Sequence, residues 1–493
     1  MAEKKLKQKA VSSFAWMAVQ KYSTMFIQFI SGIVLARLLT PYDYGCIGML
    51  AIFMVLAETF IDGGFGSALI QKKRPTQDDY STIFFWNLFM AVILYGILYA
   101  CAPIIARFYN IPLLCKVLRV QGVILFIYGF NIVQRNQLQK NLNFKALSII
   151  TLTSATISLS ITIFMAYKGF GVWALVTQHI LVAAIPAVAF WFIIKWRPKL
   201  VFSWKSFREL FSFGLFMFLI NLINQFSSQL QGLLIGKFYN ASTMGYYSKA
   251  QKTESLASHS ISSVMTQVTF PLYSEMQNDK QALANVIKRI TMTLAYFSFP
   301  LLFILLLLAK PLFIILYSER WLQSVPYFQV LCIAGLAGCL QAVNYQSISA
   351  IGKSKTMFIW TVVKRAVGIS AVIVGLTFFG MKGLLAGVVF NYWFSYIINI
   401  SLVSKHIGYK WYNQIKDMLP VGIVSTITAV ISYFTGSLLH LDLYADGAVK
   451  LVVYLIIYLG WSIVFKPEAF IYFLGIIPDK FNFIKKLKTK VNH

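Results

Sequence analysis

The sequence predicts an all-α integral membrane protein with about 14 transmembrane helices. Of its 493 residues, 58% are hydrophobic and only 12% are charged, a composition far more apolar than that of soluble domains. Apolar runs of roughly 20 residues, the length that crosses a bilayer core as a helix, recur along the whole chain. Lys and Arg lie mainly in alternate connections between these runs, which is typical of multi-pass membrane proteins.

The apolar runs define the predicted helices in chain order. A basic segment precedes the first run, but Gln20, Lys21 and Gln28 interrupt that run, so we interpret it as a membrane helix and not as a cleaved signal peptide. The predicted spans are residues 12–37, 44–69, 80–104, 115–134, 146–167, 171–194, 207–236, 243–270, 286–309, 325–349, 356–379, 382–404, 412–436 and 448–466.

The distribution of positive charge predicts the orientation. A formal net charge of +28 would suit a nucleic-acid-binding protein, but the cations lie in short loops, so no nucleic-acid partner is expected. Connections on the side of the N terminus carry 29 Lys and Arg, and those on the opposite side carry 7. Because cytoplasmic loops are enriched in these residues, both termini are predicted to be cytoplasmic.

The sequence offers little for catalysis or metal binding. No connection between spans is long enough to form a soluble domain. The five cysteines are scattered and odd in number, which is typical of free thiols. His179 and His259 lack a carboxylate or thiol at ligand spacing. We therefore expect neither an enzyme nor a metal site.

An internal repeat relates the two halves of the chain at an offset of 200 residues. Residues 32–45, GIVLARLLTPYDYG, align without gaps with residues 232–245, GLLIGKFYNASTMG, and a weaker match begins at Gly171 and Gly380. Because the offset spans six helices, it predicts two lobes related in parallel, with substrate bound between them. The predicted divisions are a cytoplasmic tail at 1–11, an N-lobe at 12–205, a C-lobe at 206–404, helices 13 and 14 at 405–466, and a basic cytoplasmic tail at 467–493.

The most polar predicted span, residues 243–270, carries a cationic stripe. At 3.6 residues per turn, Lys249, Lys252 and His259 fall on one arc, and Glu254 falls on the far side. Charged residues within a membrane span are costly and usually line a cavity or a path. This stripe is therefore predicted to line the path of a substrate.

Two carboxylates lie on one face of the second span. Glu58 and Asp62 are four residues apart, and two interpretations stay open. They either take up a coupling H⁺ or Na⁺, or they form structural ion pairs with Lys21 or with Lys249 and Lys252 across the cavity.

Neutral polar residues follow one face of the seventh span. Asn221, Asn224 and Gln225 suit sugar hydroxyls, or they join helices by hydrogen bonds. In the eleventh span, Lys364 and Arg365 either snorkel to the cytoplasmic surface or extend the cationic surface of the cavity.

Three strings resemble a known family. LARLLTPYDYG at Leu35–Gly45, DGGFGSALIQK at Asp62–Lys72 and GFGVWALV at Gly169–Val176 are similar to the polysaccharide transporter family of lipid-linked oligosaccharide flippases. That family belongs to the multidrug/oligosaccharidyl-lipid/polysaccharide exporter superfamily. The resemblance covers nearly the whole chain and implies two pseudosymmetric six-helix lobes plus two C-terminal helices, in a bacterial inner membrane.

The resemblance also implies a function. Such flippases move undecaprenyl-pyrophosphate-linked sugar repeat units to the periplasmic face by alternating access, for surface polysaccharide biosynthesis. The implied partners are this lipid-linked glycan, membrane lipid and a polysaccharide polymerase complex, and no cofactor is implied beyond a coupling H⁺ or Na⁺. In relatives, helices 1, 2, 7 and 8 line the cavity and their cations hold the pyrophosphate. The substrate-binding residues implied for this chain are Lys21, Gln28, Asn221, Asn224, Gln225, Lys249, Lys252 and His259.

Two alternatives to a flippase stay open. A cation-coupled multidrug exporter of the same superfamily should have an acidic cavity, whereas the predicted cavity carries excess cations. A membrane polysaccharide polymerase or ligase should have a sizeable periplasmic loop or an acidic catalytic loop, and the sequence shows neither.

Overall fold

The computed structural model is helical throughout the part of the chain that it describes. It describes the backbone of residues 2–141 and 143–471, with side chains except those of residues 2–15, 213, 259–261, 263–268, 270, 271, 274 and 354. From residue 472 onward, the predicted basic tail lies outside the described residues, which contain no strand. The helices are α1 (Ala2–Leu38), α2 (Pro41–Asp62), α3 (Phe65–Gln71), α4 (Gln77–Phe108), α5 (Leu113–Gln121), α6 (Ile124–Lys140), α7 (Phe144–Tyr167), α8 (Val172–Ile193), α9 (Trp204–Phe238), α10 (Ala241–Glu275), α11 (Lys280–Leu307), α12 (Ala309–Tyr317), a 3-10 helix (Glu319–Ser324), α13 (Val325–Ala350), α14 (Ser354–Ile407), α15 (Trp411–Leu438) and α16 (Leu443–Phe465).

The predicted fold class, an all-α membrane protein, is confirmed. Helices occupy most of each predicted span, but the spans predicted at 44–69 and 115–134 are interrupted at residues 63–64 and 122–123. Ten helical segments of the described chain are long and apolar enough to cross a membrane. An eleventh is obtained when α9, which bends by 53° between Trp204–Ser212 and Gly214–Phe238, is counted as one span. The figure of 14 crossings stays a prediction.

The longest helix, α14, is folded back on itself. Its 54 residues would extend about 80 Å as a straight helix, far beyond a hydrocarbon core of about 30 Å. The backbone leaves helical geometry at Gly380. On either side of this turn, a β-carbon on Gly375 would collide with the carbonyl of Gly383, and one on Gly383 with the carbonyl of Gly375. The two arms therefore pack closely along a glycine contact and correspond to the spans predicted at 356–379 and 382–404.

The turn at Gly380 has a counterpart in the first half of the chain. Gly171, which precedes α8, has φ 54° and ψ −129°, and Gly380 has φ 60° and ψ −141°. Such backbone angles are accessible almost only to glycine, because a β-carbon would clash. The weaker match in the sequence thus aligns two residues with the same rare conformation.

The described helices group into two compact units, Met1–Ser248 and Lys249–His493. In the first unit, α2 packs against α4 and α9, and an aromatic core includes Phe65 and Phe84. In the second unit, α13 packs against α11 and α14, and α15 packs against α11 and α16. The lobe boundary predicted at residue 206 stays a prediction.

Within the first unit, the first turns of α2 and α10 meet in direct backbone contact. A β-carbon on Gly45 would collide with the carbonyl of Ala241, and one on Gly245 would collide with the carbonyl of Pro41. Both pairs are related by the repeat offset of 200 residues. The contact is therefore reciprocal, since each helix places its glycine against the first residue of the other.

Candidate functional site

Lys249 is a buried cation held over two aromatic rings. Its side chain is only 3% exposed, and its ammonium lies 4.0 Å from the ring centroid of Tyr317 and 5.5 Å from that of Trp321. Attraction between a desolvated ammonium and an aromatic face is worth up to about 2 kcal/mol, which offsets part of the cost of burying the charge.

The position of Tyr317 is fixed by a hydroxyl of α10 itself. The Thr253 hydroxyl donates to the backbone carbonyl of Lys249 at 2.8 Å, and it shares a 3.0 Å hydrogen bond with the Tyr317 hydroxyl. One turn of α10 therefore supplies both the cation and the group that orients the ring beneath it.

Lys252 has a different environment from Lys249. The sequence predicts that both ammoniums project from one face of α10, but Lys252 is exposed and Lys249 is buried. Because the two residues are three apart, their side chains point about 60° apart around the helix axis. This difference is enough to place Lys249 against neighbouring elements while Lys252 stays exposed. The exposed Lys252 is thus the lysine of this pair that is accessible to a ligand. The side chain of His259, the third member of the stripe, lies outside the described residues.

Glu254 is a buried carboxylate that the sequence reasoning left out of the site. It is 8% exposed, and a β-carbon on Gly335 of α13 would collide with its Oε1 atom. Among the described residues, Oε1 has no hydrogen-bond partner. Ionisable groups in such positions of a membrane helix mark ion or proton pathways. In the sequence, only its charge marks Glu254 as a candidate, because its neighbour Gly335 is distant along the chain.

Asp62 and Glu58 have different surroundings in the structure. Asp62 ends α2, where Gly63 and Gly64 adopt φ of 52° and 77°, and its Oδ2 accepts a 3.3 Å hydrogen bond from the Gly64 backbone N–H. Glu58 is half-buried. No ion pair in the described part of the chain joins either carboxylate to Lys21. The geometry of Asp62 favours a structural role at the break between α2 and α3.

The rest of the 62–72 string is held by cations. Lys140 donates to the carbonyls of Leu69 and Ile70, at 2.9 and 3.0 Å, and so caps the C-terminal end of α3. Lys72 forms ion pairs with Asp79 at 2.9 Å and Glu209 at 3.1 Å. Partial burial opposes the charge of Lys72, but these hydrogen bonds raise its pKa. The string that resembles the family thus forms a short helix whose C-terminal end is held by two lysines.

The remaining polar candidates, four neutral residues and Lys21, are exposed or half-buried on α9 and α1. Asn221 and Gln225 are exposed, and Asn224 is half-buried. On α1, Lys21 is half-buried and Gln28 is exposed. All five are placed where a polar ligand or a neighbouring helix can reach them, and neither interpretation of this stripe is eliminated.

Lys364 does not snorkel to the surface. It is 8% exposed, and its ammonium donates to Asn399 Oδ1 at 2.7 Å and lies 5.8 Å from the ring centroid of Tyr345. The snorkelling interpretation is wrong for this lysine because the second arm of α14 supplies an amide acceptor inside the bundle. The adjacent Arg365 is half-buried.

Comparisons with known proteins place the chain among polysaccharide assembly proteins. A family profile described as "Polysaccharide biosynthesis protein" matches residues 34–326. The chain is 27% identical to the teichuronic acid biosynthesis protein TuaB of Bacillus subtilis (strain 168), over 71% of this chain and 73% of that one. It is 23% identical to the succinoglycan biosynthesis transport protein ExoT of Rhizobium meliloti (strain 1021), over 82% of this chain and 80% of that one.

Solved structures show the same fold. The lipid II flippase MurJ in an inward closed conformation matches with a TM-score of 0.73 and 17% identity, over 92% of this chain and 98% of that one. An inward-facing multidrug resistance transporter of the MATE family matches with a TM-score of 0.62 and 14% identity, over 80% and 98%. A lipid flippase and a drug exporter share this architecture, so the fold alone does not separate these two functions.

Proposed function

Since the chain belongs to the polysaccharide biosynthesis protein family, we propose that it is a flippase for undecaprenyl-pyrophosphate-linked oligosaccharide repeat units in the bacterial inner membrane. The observation that carries the proposal is the combination of this family with a flippase-type fold and intramembrane lysines on α10. Relatives of this chain are named for teichuronic acid biosynthesis and for succinoglycan biosynthesis transport, and one of the solved structures with the same fold is a lipid flippase.

The pyrophosphate is the part of this substrate that the cations would recognise. A pyrophosphate diester carries two negative charges, and Lys252 is exposed to meet it. At 4 Å and an effective dielectric constant near 20, one such contact is worth about 4 kcal/mol before desolvation. Lys249, whose ammonium lies over Tyr317 and Trp321, adds positive charge nearby. Lys21 of α1 is a further candidate for a contact with the pyrophosphate. The polar residues of α9 would contact the sugar.

Alternating access requires an end of the path that closes and reopens. In the first unit, the reciprocal glycine contact between α2 and α10 holds their first turns together. We assign this contact to the closed state of that end. Separation of the two glycines from the opposing carbonyls is then part of the transport cycle.

The orientation follows from the distribution of cations. With 29 Lys and Arg on the side of the N terminus and 7 on the other, both termini face the cytoplasm. An alkaline phosphatase fused to the C terminus should be inactive, and one inserted at Asp442 should be active. Activity at the C-terminal fusion would contradict this orientation.

The function is tested by deleting the gene in its native host and measuring two products. Surface polysaccharide should fall, and lipid-linked repeat units should accumulate on the cytoplasmic leaflet. A plasmid copy should restore both, and a Lys252→Gln copy should restore neither. Unchanged polysaccharide together with increased sensitivity to cationic drugs would favour the multidrug exporter instead. Loss of polymer length with normal export of single repeat units would favour a polymerase.

A further inference from the structure

The connection between α8 and α9 is an extended segment with a fixed path. It comprises residues 194–203, which are neither helix nor strand. The backbone N–H of Lys199 donates to the Ser81 hydroxyl at 3.0 Å. The backbone N–H of Ser203 donates to the Thr82 hydroxyl, also at 3.0 Å. Both hydroxyls belong to fully buried side chains of α4, so the 194–203 segment has a defined inner side and a defined outer side.

Side chains alternate between these two sides in the first part of the segment. The inner side chains are half-buried and belong to Ile194, Trp196 and Pro198. The outer side chains are exposed cations and belong to Lys195, Arg197 and Lys199. Residues two apart in an extended chain are separated by roughly 6.6 Å and point to the same side, so the cations line one edge. The Arg197 guanidinium donates to three backbone carbonyls, whereas no ion pair among the described residues includes Lys195 or Lys199.

The next residues present apolar side chains on the outside. The Val201 N–H donates to the Lys199 carbonyl at 2.7 Å, and this hydrogen bond closes a tight turn with Leu200 at its apex. Leu200 is 94% exposed, and Trp204, which begins α9, is 73% exposed. Lys199 and Lys205, both exposed, flank these apolar residues along the chain. Exposed apolar surface with a polar rim marks a contact with a protein or a membrane.

A lipid surface fits this combination of side chains. The segment joins two predicted membrane spans, 171–194 and 207–236, so both of its ends are held at the boundary of the bilayer. Tryptophan is enriched at this boundary, and interfacial segments rich in Lys bury Trp and Leu among the headgroups. Each lysine near an anionic membrane surface strengthens the attraction roughly fivefold. A soluble protein would have to displace the headgroups around the segment, so its position favours lipid.

We propose that residues 195–205 form a binding surface for anionic phospholipid. Leu200 and Trp204 lie in the headgroup layer, where their apolar surface leaves water. The ammoniums that contact the negative charges are those of Lys195, Lys199 and Lys205. The lipid is the phospholipid of the surrounding membrane, and not the lipid-linked substrate of the proposed flippase.

The depth of Leu200 in a bilayer tests this surface. A nitroxide is attached to Leu200→Cys in the full-length protein, which is reconstituted at one copy per nanodisc. Its collisions with a neutral, water-soluble nickel chelate and with membrane-soluble oxygen are then measured by electron paramagnetic resonance. The wild type, taken through the same labelling, gives the background from the native cysteines. The control is Asn278→Cys, at an exposed polar residue in the turn between α10 and α11, on the same predicted side of the membrane.

Two lipids separate charge from simple burial. In nanodiscs of phosphatidylglycerol, we expect the nickel-to-oxygen collision ratio at residue 200 to be at least about fivefold below that at residue 278, because the headgroup layer excludes the chelate. In phosphatidylcholine, the ratio at residue 200 should be at least about twofold higher than in phosphatidylglycerol, because the lysines lose their anionic partners. Both lipids carry a phosphate, so the difference between them reports the net charge of the headgroup.

Two lysine variants locate the charge that matters. The first, made in the Leu200→Cys protein, combines Lys195→Gln, Lys199→Gln and Lys205→Gln. In phosphatidylglycerol, its ratio at residue 200 should rise to within about twofold of the value at residue 278, because the attraction of three lysines is lost. The matched control replaces three exposed lysines of the second unit by Lys353→Gln, Lys355→Gln and Lys405→Gln. It should leave the ratio at residue 200 unchanged, because these lysines do not flank Leu200.

Three outcomes would overturn the proposal. Equal ratios at residues 200 and 278 in phosphatidylglycerol would show that the segment faces water. Equal ratios at residue 200 in the two lipids would reject a role for anionic charge. Equal rises in the two triple variants would attribute the effect to the net charge of the whole protein and not to this segment.

The test stays decisive if the first triple variant does not fold, because the comparison of the two lipids uses the native lysines. The readout is depth in the membrane and not export. Its failure therefore leaves the proposed flippase activity untouched, and loss of that activity leaves the lipid surface untouched.

Discussion

The helices α2 and α10 occupy equivalent positions of the internal repeat but carry opposite chemistry. In α2, the positions that correspond to the charged residues of α10 are apolar and buried, with exposed fractions of 0% for Met49, 2% for Ile52 and 4% for Met54. At the offset of 200, the aligned residues in α10 are Lys249, Lys252 and Glu254. These three positions are therefore part of a core in α2, whereas they carry ionisable side chains in α10.

At two further positions, α2 carries carboxylates where α10 carries neutral residues. Glu58 and Asp62 of α2 align with Ser258 and Ser262 of α10. The backbone features, by contrast, are retained in both copies, as the glycines Gly45 and Gly245 show. The comparison teaches that the two copies share backbone contacts, and that they differ in the ionisable residues that we propose for transport.

The largest expected effect on stability comes from introducing Gln at two positions related by the repeat, Ile52 of α2 and Lys252 of α10. Ile52→Gln places an amide in the core of α2 and should destabilise the protein by about 3 kcal/mol, because apolar contacts are lost and a polar group is buried. Lys252→Gln changes an exposed residue, so stability should move by less than about 0.5 kcal/mol while export falls about tenfold or more. Thermal unfolding in detergent and surface polysaccharide measure the two quantities. Equal losses of stability in both variants would contradict the comparison.

The glycine contact is the next most sensitive feature. Gly45→Ala or Gly245→Ala should each cost about 1–3 kcal/mol, because a β-carbon forces the two backbones apart. The matched control is Gly96→Ala in α4, where no atom lies within 4 Å of the new carbon. There the substitution should be neutral or stabilise the helix by up to about 1 kcal/mol. The measurement is the midpoint of thermal unfolding of each variant. Equal shifts in all three variants would contradict a close backbone contact.

Transplanting the α2 residue into α10 should have a smaller effect on stability. Lys249→Met replaces a buried cation with the residue found at the aligned position, and apolar replacement of a buried charge is often neutral or stabilising. We expect the free energy of unfolding to change by less than about 1 kcal/mol, while export decreases less than in Lys252→Gln. Strong destabilisation would show that the contact with Tyr317 supports the fold, and unchanged export would remove Lys249 from the site.

The smallest expected change in stability concerns the acids. Glu58→Gln should leave protein abundance unchanged and remove the dependence of export on the H⁺ or Na⁺ gradient. Glu254→Gln, which keeps the shape beside Gly335, tests the second buried carboxylate and should retain that dependence if Glu58 alone takes up the coupling ion. Export would be measured with and without an ionophore. Loss of gradient dependence in Glu254→Gln, with the dependence retained in Glu58→Gln, would assign ion coupling to α10.

Asp62→Ala should lower the free energy of unfolding by about 1 kcal/mol, the net contribution of its hydrogen bond to the backbone.

The sequence predicted the helices well because each one leaves a local signal. Apolar runs coincide with helices of the described chain. The gap between the spans predicted at 356–379 and 382–404 contains Gly380, where α14 turns. Features that depend on distant partners were not predictable. For Lys364 the sequence left snorkelling and a place on the cationic surface open, because its acceptor, Asn399, lies on the other arm of the hairpin. A helical wheel places Asp62 beside Glu58, but α2 ends at Asp62, whose carboxylate accepts a hydrogen bond from the Gly64 backbone N–H.

The site was predictable only in part for the same reason. The cationic residues of α10 stood out against an apolar background, so Lys249 and Lys252 were identified. Their separation into one buried and one exposed lysine depends on Tyr317 and Trp321, which lie on other elements. Glu254 was set aside because a helical wheel shows direction but not the small residue, Gly335, that admits the side chain.

The reciprocal contact of Gly45 with Ala241 and of Gly245 with Pro41 has the form of a twofold homodimer interface contained within one chain. In a homodimer, every substitution appears on both sides of the axis, so a lysine gained at one site is gained twice. Joining the two copies in one polypeptide removes that constraint. One side of the axis can keep Met49 and Ile52 in a core while the other acquires Lys249 and Lys252. Covalent linkage of the two copies therefore permits charged residues in one helix at positions that are apolar in the other, which a homodimer of identical subunits could not produce.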